Sequence, residues 1–463
     1  FLSVLLAMLM IFTMSMPVFG QANDYKDHWA SKEIDKWIAQ EVFTGDPDGS
    51  FRPEDPITRA EFAAVIARTK GYTDKVKLSY SDVAETDWYA DVVSKVTAAG
   101  IFQGSDGKFR PKDNISRQEV AIVLARAFDL FARNDKAIEK FKDINEVAAW
   151  SREALNAVID GNYMSGRPGG ILAPKDNITR AECVKLIDNI AGQLKNKAGT
   201  YTGDVEGNLV VNTPDVILKD MRISGDLFIT QGVGDGDVTL DNVVVEGRAV
   251  VRGGGVNSII IKNSNIGGTL LVLKTDGNIR IVVADSSYVE EAVFKSGAIL
   301  EADPTTSGFK EVKVLEVPAG EQIQLEGDFG DLIVDSADVV VEILDGKVEN
   351  LTVTEEAKDT KIRLGEKATV TNLTANAPAT VEGQGSISNA EIKADGVKLE
   401  TKPEKIDIVP GVTAIIADEE VSVPETEEKP EPPVVDSGGG GGGGGGYSPG
   451  TPEKKVEAVS VKP

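Results

Sequence analysis

The string Ile57-Thr58-Arg59-Ala60-Glu61 decides the fold of the first part of this chain, because it occurs three times. The second copy reads Ile115-Ser116-Arg117-Gln118-Glu119, and the third reads Ile178-Thr179-Arg180-Ala181-Glu182. In each copy a Thr or Ser precedes a Glu by three positions, which is the capping box that begins a helix. Apolar residues follow at helical spacing. The sequence therefore predicts three equivalent helices, each with its arginine in the first turn.

Other features recur with the same period of about 60 residues. A tryptophan lies 27 or 28 residues before each string, at Trp29, Trp88 and Trp150. A turn-rich loop between tryptophan and string starts at Gly45, Gly104 and Gly166, and an aromatic-x-Asp step opens each copy at Tyr25-Asp27, Tyr80-Asp82 and Phe141-Asp143. We expect a helix, a loop and a helix in each of three repeats, at 23–75, 76–135 and 136–197.

The arginine in the first turn needs a reason, since the helix dipole makes a cation mildly unfavourable there. Free N–H groups of a helix N-terminus and a planar guanidinium together suit a carboxylate ligand. The alternative is a salt bridge to an acidic residue of the neighbouring repeat. The tryptophans likewise have two interpretations, as core residues or as walls of a sugar-binding groove.

These motifs resemble the S-layer homology domain family, over about 170 residues. The resemblance implies a pseudo-threefold spindle of helices that binds, in grooves between the repeats, a secondary cell wall polysaccharide attached to peptidoglycan and bearing pyruvylated N-acetylmannosamine. It also implies that the motif arginine contacts the acidic sugar. The candidate ligand-binding residues are Arg59, Arg117, Arg180, Trp29, Trp88, Trp150, Gly45, Gly104 and Gly166.

The three repeats differ in ways that predict unequal grooves. Repeat 1 has Glu41 where the other two carry Gly100 and Asn162, residues that tolerate a left-handed conformation. Repeat 3 has Leu172-Ala173 in place of the Phe-Arg of the other loops. On this basis we expect Arg117→Ala to weaken binding most.

Composition excludes several functions. The chain has 463 residues, a net charge of −25, one cysteine (Cys183) and one histidine (His28). A disulfide framework, a Cys-rich or His-rich metal site and a Ser-His-Asp centre are therefore excluded, and we expect no metal and no cofactor. The acidic balance argues against nucleic acid and anionic lipid as partners.

The first 22 residues predict an exported protein. An apolar run, Phe1 to Phe19, precedes small residues at Gly20 and Ala22, which is typical of a signal peptide. A membrane anchor is the alternative, but the run is short and polar sequence follows. We expect a secreted bacterial surface protein, from a Gram-positive cell wall, with no membrane span after cleavage.

Residues 198–420 predict an all-β parallel solenoid. The strings Leu218-Lys219-Asp220, Leu240-Asp241-Asn242, Ile261-Lys262-Asn263 and Val283-Ala284-Asp285 follow one another at steps of 22, 21 and 22 residues. Steps of this size in a β-rich sequence are typical of solenoid rungs. An antiparallel stack or sandwich stays open for residues 310–415, where the period is looser. We expect residues 200–420 to fold independently.

The sequence favours a noncatalytic surface protein with the β domain as spacer or binding surface. The alternative is a wall-anchored polysaccharide lyase or glycosidase, because Asp220, Asp241 and Asp285 supply carboxylates; the competing interpretation is that these are turn residues. Residues 421–455 are rich in Pro, Glu and Gly and predict a disordered linker, and 456–463 predict the start of a further domain. Self-association in a surface layer is a further expectation.

Overall fold

A computed structural model describes residues 24–274, 277, 279–302 and 308–424. Six helices form pairs in the first part of the chain: α1 Ser31–Ala39, α2 Arg59–Lys70, α3 Ala90–Ala98, α4 Arg117–Phe128, α5 Arg152–Asp160 and α6 Arg180–Ala191. Short 3-10 turns lie at Ile144–Glu146, Ala149–Ser151 and Gln231–Val233. The predicted signal peptide, the part of the predicted linker beyond residue 424 and the segment 456–463 lie outside the described residues. Within them, no helix has the length and apolar character needed to cross a membrane.

The helical region closes on itself as a ring of three repeats. The backbone N–H of Ile57 donates to the carbonyl of Ile178, that of Ile115 to Ile57, and that of Ile178 to Ile115, each at 3.1 Å. These isoleucines begin the three motif strings, so the strings meet around a pseudo-threefold axis. The predicted helix–loop–helix repeats and their spindle are confirmed.

The loop of each repeat is held by an aspartate near the start of that repeat. Asp82 accepts the backbone N–H of Phe109 at 2.9 Å, and Asp143 does the same for Leu172 at 2.8 Å. In repeat 1 the corresponding residue is Asp24, which precedes Tyr25, and not Asp27 of the aromatic-x-Asp step. The aspartate can lie on either side of the aromatic residue because it needs only to reach two loop N–H groups.

The second part of the chain consists of β-strands, most of them short. They are β1 Gln193–Lys195, β2 Gly199–Tyr201, β3 Leu209–Val211, β4 Val216–Ile223, β5 Leu227–Ile229, β6 Val238–Val245, β7 Ala249–Val251, β8 Ile260–Lys262, β9 Asn265–Val272, β10 Ile279–Ala284, β11 Tyr288–Phe294, β12 Ala298–Ala302, β13 Phe309–Leu315, β14 Gln322–Glu326, β15 Phe329–Asp335, β16 Val340–Val353, β17 Thr360–Ala375, β18 Ala379–Gly383, β19 Ser386–Ile392, β20 Lys398–Leu399, β21 Lys405–Ile408, β22 Thr413–Ile416 and β23 Glu419–Ser422.

These strands form a parallel β-solenoid, as the sequence predicts. Leu218 pairs with Leu240, Leu240 with Ile261, and Ile261 with Val283, which is the register of the aligned strings. The pairings that link β13 to β21 are parallel too, so the antiparallel alternative for residues 310–415 is wrong. An antiparallel strand, β23, covers β22.

The recurring Asp and Asn residues of the solenoid lie at corners of its rungs, within β4 and β6 in the case of Asp220 and Asn242 and between strands in the case of Asn263 and Asp285. Asp220, Asn242, Asn263 and Asp285 all have positive φ, between 49° and 59°. Asp and Asn tolerate this conformation better than other non-glycine residues. Their side chains bond to the next rung rather than to their own backbone, as in the 2.9 Å bond from Asn242 Nδ2 to Asp220 Oδ1.

The two parts share a hydrophobic core. Strands β3, β5 and β7 point alternate side chains inward, and their outward side chains Val210, Phe228 and Val250 pack among the helices. All three are buried. The first rungs of the solenoid therefore pack directly on the helical core. Residues 200–420 alone would expose these apolar side chains to solvent.

Candidate functional site

Three pockets open on the helical region, and each is built from all three repeats. The Arg59 pocket combines Arg59 of repeat 1, Gly104 of repeat 2 and Trp150 of repeat 3. The same positions in rotation form the Arg117 pocket, with Gly166 and Trp29, and the Arg180 pocket, with Gly45 and Trp88. Their volumes are about 340, 280 and 430 Å³ respectively, near the lower end of ligand sites. The nine candidate residues thus come together as three sets.

The guanidinium of Arg59 forms the inner wall of its pocket and is almost fully engaged. Nε donates to the carbonyl of Phe109 at 2.9 Å, Nη2 to that of Gln103 at 3.3 Å, and Nη1 to Glu119 Oε1 at 2.9 Å. The side chain is only 6% exposed. Burial lowers the pKa of Arg59, but an arginine stays charged at neutral pH.

The other two arginines repeat this geometry. Each donates Nε and Nη2 to two loop carbonyls and places Nη1 beside the capping-box glutamate of another repeat. The partners are Leu172, Ser165 and Glu182 for Arg117, and Phe51, Thr44 and Glu61 for Arg180. The salt-bridge interpretation is therefore realised in the structure. The salt bridge does not exclude a ligand site, because the arginine that forms it also lines a pocket.

The helix N-termini do not offer free N–H groups, and that part of the expectation is wrong. The N–H of Arg59 donates to the carbonyl of Asp113 at 2.9 Å, and that of Ala60 donates to Pro111 at 3.0 Å. The N–H of Glu61 donates to Thr58 Oγ1 within the capping box. The same bonds recur at α4 and α6. Packing of the repeats uses the donors that an isolated helix would leave to an anion.

The tryptophans are exposed, which excludes their interpretation as core residues. Trp29, Trp88 and Trp150 are 60%, 62% and 59% exposed. Each lies two residues before the first helix of its repeat rather than inside it. A different tryptophan, Trp37 on α1, occupies the core. An exposed indole at a pocket rim suits stacking on the apolar C–H face of a sugar.

The loop glycines are required by lack of space. A Cβ on Gly104 would lie 2.4 Å from the carbonyl oxygen of Lys108 and 2.5 Å from the ring of Tyr80. A Cβ on Gly166 would lie 2.2 Å from the ring of Phe141. Close packing of the loop on the aromatic residue of the same repeat brings the loop carbonyls within reach of the arginine.

Comparison with known proteins agrees with this geometry. The family model described as "S-layer homology domain" matches residues 23–63, 79–121 and 140–183. The chain carries three tandem S-layer homology domains. Its N-terminal region is thus of a kind found in bacterial cell-surface proteins.

Relatives of this S-layer homology protein include both surface proteins and enzymes. It is 30% identical over 196 residues to an S-layer protein of Bacillus thuringiensis subsp. finitimus, covering 42% of this chain and 23% of that one. It is 31% identical over 169 residues to an amylopullulanase of Thermoanaerobacterium thermosulfurigenes, covering 36% and 9%. Cell surface glycoprotein 1 of Acetivibrio thermocellus is 37% identical over 158 residues, covering 31% and 7%. The matches span less than a quarter of the length of each of these three relatives.

Further cations line the pockets of the S-layer homology domains, and sequence reasoning missed them. Arg126 and Arg68 lie nine residues after Arg117 and Arg59, and both are exposed. Arg126 lines the Arg59 pocket and Arg68 the Arg180 pocket. In the sequence, these arginines are visible as the Ala-Arg pair near the end of the apolar run of α2 and α4. That they line a pocket is clear only from the arrangement of the three repeats, in which each pocket is shared between repeats.

The three pockets differ in charge. The Arg59 pocket has three arginines, including Arg110, against the single carboxylate of Glu119, a net charge of +2. The Arg117 pocket has two arginines and a lysine against one glutamate, also +2. The Arg180 pocket has two arginines against Asp46 and Glu61, a net charge of zero.

The expected ranking of the arginines rested on pairing each with the loop of its own repeat. The structure pairs each with a loop of another repeat. Glu41, which has a φ of 60°, belongs to the repeat whose loop lines the Arg180 pocket. The Leu172 loop lines the Arg117 pocket, where Arg167 supplies a cation to Glu182 as Arg110 does to Glu119.

Proposed function

We propose that this protein attaches noncovalently to the bacterial cell wall by binding a wall polysaccharide whose sugars carry carboxylates, as in pyruvylated N-acetylmannosamine. The observation that carries the proposal is the excess of cations beside an exposed tryptophan in the Arg59 and Arg117 pockets. The three S-layer homology domains support attachment to the wall.

In each pocket the buried and exposed cations have different tasks. The buried arginine, already bonded to two carbonyls and a glutamate, makes the inner side of the pocket electrostatically positive and fixes its shape. The exposed cations, Arg110 and Arg126 in the Arg59 pocket, have side chains that can reach an entering carboxylate. The net charge of −25 acts against a polyanion at long range, so binding depends on these local clusters.

The experiment is calorimetry of the full chain with a pyruvylated disaccharide fragment of the polymer and with the same fragment after its pyruvate is removed. We expect the pyruvylated fragment to bind at least about tenfold more tightly, since one charge-assisted pair contributes roughly 1.5–3 kcal/mol. Equal affinities for the two fragments would show that the cations of the pockets do not bind the pyruvate carboxylate.

We propose that the solenoid is a noncatalytic spacer or binding surface, displayed at the surface of a Gram-positive cell after export, with self-association in a surface layer. The corner positions of Asp220 and Asp285 support this, since these carboxylates accept hydrogen bonds from Asn242 and Asn263 of neighbouring rungs. Incubation of the full chain with wall and plant polysaccharides should release no reducing ends. Release would favour the alternative of a carbohydrate-active enzyme, which some relatives are.

A further inference from the structure

Two further cavities lie between the Arg59 pocket and the Arg117 pocket, and each shares lining residues with its neighbours. A cleft of about 270 Å³ between α4 and α5, here called the α4–α5 cleft, shares Ile122, Arg126 and Trp150 with that pocket. A second cavity of about 210 Å³, here called the junction cavity, shares Leu130 with the cleft and is also lined by solenoid residues. Tyr163 lines both the junction cavity and the Arg117 pocket. The four cavities therefore form a series from the Arg59 pocket to the Arg117 pocket, in which each cavity shares at least one lining residue with the next.

We propose that one polysaccharide strand lies along this path, with acidic sugars in the Arg59 and Arg117 pockets and the intervening sugars in the α4–α5 cleft and the junction cavity. This inference rests on the proposed function and adds to it the α4–α5 cleft and the junction cavity as sites for the intervening sugars of the same strand. It also gives the contact between helices and solenoid a role in binding.

The solenoid holds the middle of the path in a fixed shape. Asp129 ends α4 in the left-handed conformation, with a φ of 51°. Arg248 Nη1 donates to the carbonyl of Asp129 at 3.0 Å, and Arg252 Nε donates to its carboxylate at 2.7 Å. Cations at a helix C-terminus are favourable. Because the path is formed before a ligand arrives, binding does not have to order it.

The chemistry of the junction cavity differs from that of the two pockets. Its cations Arg133 and Arg248 are balanced by Asp160 and Asp226, so it has no net charge. Arg248 pairs with Asp226 at 2.7 Å and also lies 5.1 Å from the ring centroid of Phe131, which is 59% exposed. Balanced polar groups beside an exposed ring suit a neutral sugar, which presents hydroxyls and an apolar C–H face.

The test is calorimetry of the full chain with pyruvylated polysaccharide fragments of graded length. We expect affinity to rise by about tenfold or more once a fragment is long enough to join both pockets, because the second contact becomes intramolecular. Phe131→Ala should weaken binding of the long fragment by roughly two- to twelve-fold and leave the shortest unchanged. Arg133→Gln should act in the same direction. Arg152→Gln is the matched control, since Arg152 is exposed on α5 but lines neither cavity.

The outcomes separate this inference from the proposed function. If the unaltered protein binds no pyruvylated fragment, both fail. If it binds short and long fragments equally, or if Phe131→Ala and Arg133→Gln bind the long fragment as the control does, the continuous path is refuted while attachment through the separate pockets stands.

Discussion

Replacement of Glu119 by Gln tests whether the motif arginines are braces, ligand contacts or both. Glu119 Oε2 accepts from the N–H and hydroxyl of Ser116 at 3.0 and 2.7 Å, and Oε1 accepts from Arg59 at 2.9 Å and Arg110 at 3.0 Å. Burial opposes ionisation, but these bonds and charges hold the pKa of Glu119 below its ordinary value. Its contribution to stability is therefore present above the ordinary glutamate pKa and is lost as pH falls through the lower folded value.

In Glu119→Gln the single amide oxygen can keep the capping bond, but the amide NH₂ then faces two guanidinium groups. Two charge-assisted bonds are lost, which we expect to cost about 2–4 kcal/mol of unfolding free energy, less than twice the single-bond value because Arg110 is partly exposed. The same change raises the net charge of the Arg59 pocket to three arginines without an opposing carboxylate, so a pyruvylated fragment should bind more tightly.

The assays for Glu119→Gln are urea unfolding, followed by circular dichroism, and calorimetry with the pyruvylated fragment. The control is Glu85→Gln, an exposed glutamate in the same repeat. Unchanged stability would refute the role of Arg59 as a brace between repeats. Lower affinity together with lower stability would show that Glu119 positions the arginine rather than opposing the ligand.

Three further predictions follow from packing and charge. Arg126→Ala should weaken fragment binding at the Arg59 pocket by roughly 10- to 150-fold and Arg68→Ala, in the neutral Arg180 pocket, much less, as calorimetry of each variant would show; equal losses would contradict the charge ranking. An isolated fragment of residues 200–420 should aggregate or unfold below the melting temperature of the full chain, because it exposes Val210 and its outward-facing neighbours; a soluble fragment with an unchanged melting temperature would refute a shared core. Burial lowers the pKa of Lys70 to about 7. The free energy of unfolding should therefore rise with pH between about 7 and the ordinary lysine pKa, because the unfolded chain binds the proton more tightly there. Lys70→Met should remove this pH dependence, and thermal unfolding across the same pH range measures both proteins.

The motifs were sufficient to predict the elements but not the arrangement of the repeats. Capping boxes depend on residues three positions apart, so the starts of α2, α4 and α6 could be read directly from the sequence. The solenoid register followed from the corners of its rungs, because Asp and Asn tolerate the left-handed conformation that each corner requires. Both signals are local.

Contacts between repeats carried no local signal. The nine candidate residues could be named individually, but their grouping depends on the ring of isoleucine hydrogen bonds, which joins residues 57, 115 and 178. For the same reason the free helix N-termini were predicted wrongly, since the carbonyls that occupy them come from another repeat. The sequence of β3, β5 and β7 does not predict that helices cover their outward face. A strand is apolar on both faces whenever both are buried, and the sequence alone does not show which element does the burying.

In the proposed function, the protein attaches to the cell wall through a carboxylate-bearing polysaccharide. The most direct measurement is sedimentation of the full chain with purified cell walls, before and after removal of the pyruvylated polymer, with an Arg59→Ala/Arg117→Ala variant alongside. We predict that the unaltered protein sediments with intact walls and stays in solution with stripped walls, and that the double variant stays in solution with both. Equal sedimentation with intact and stripped walls would contradict the account.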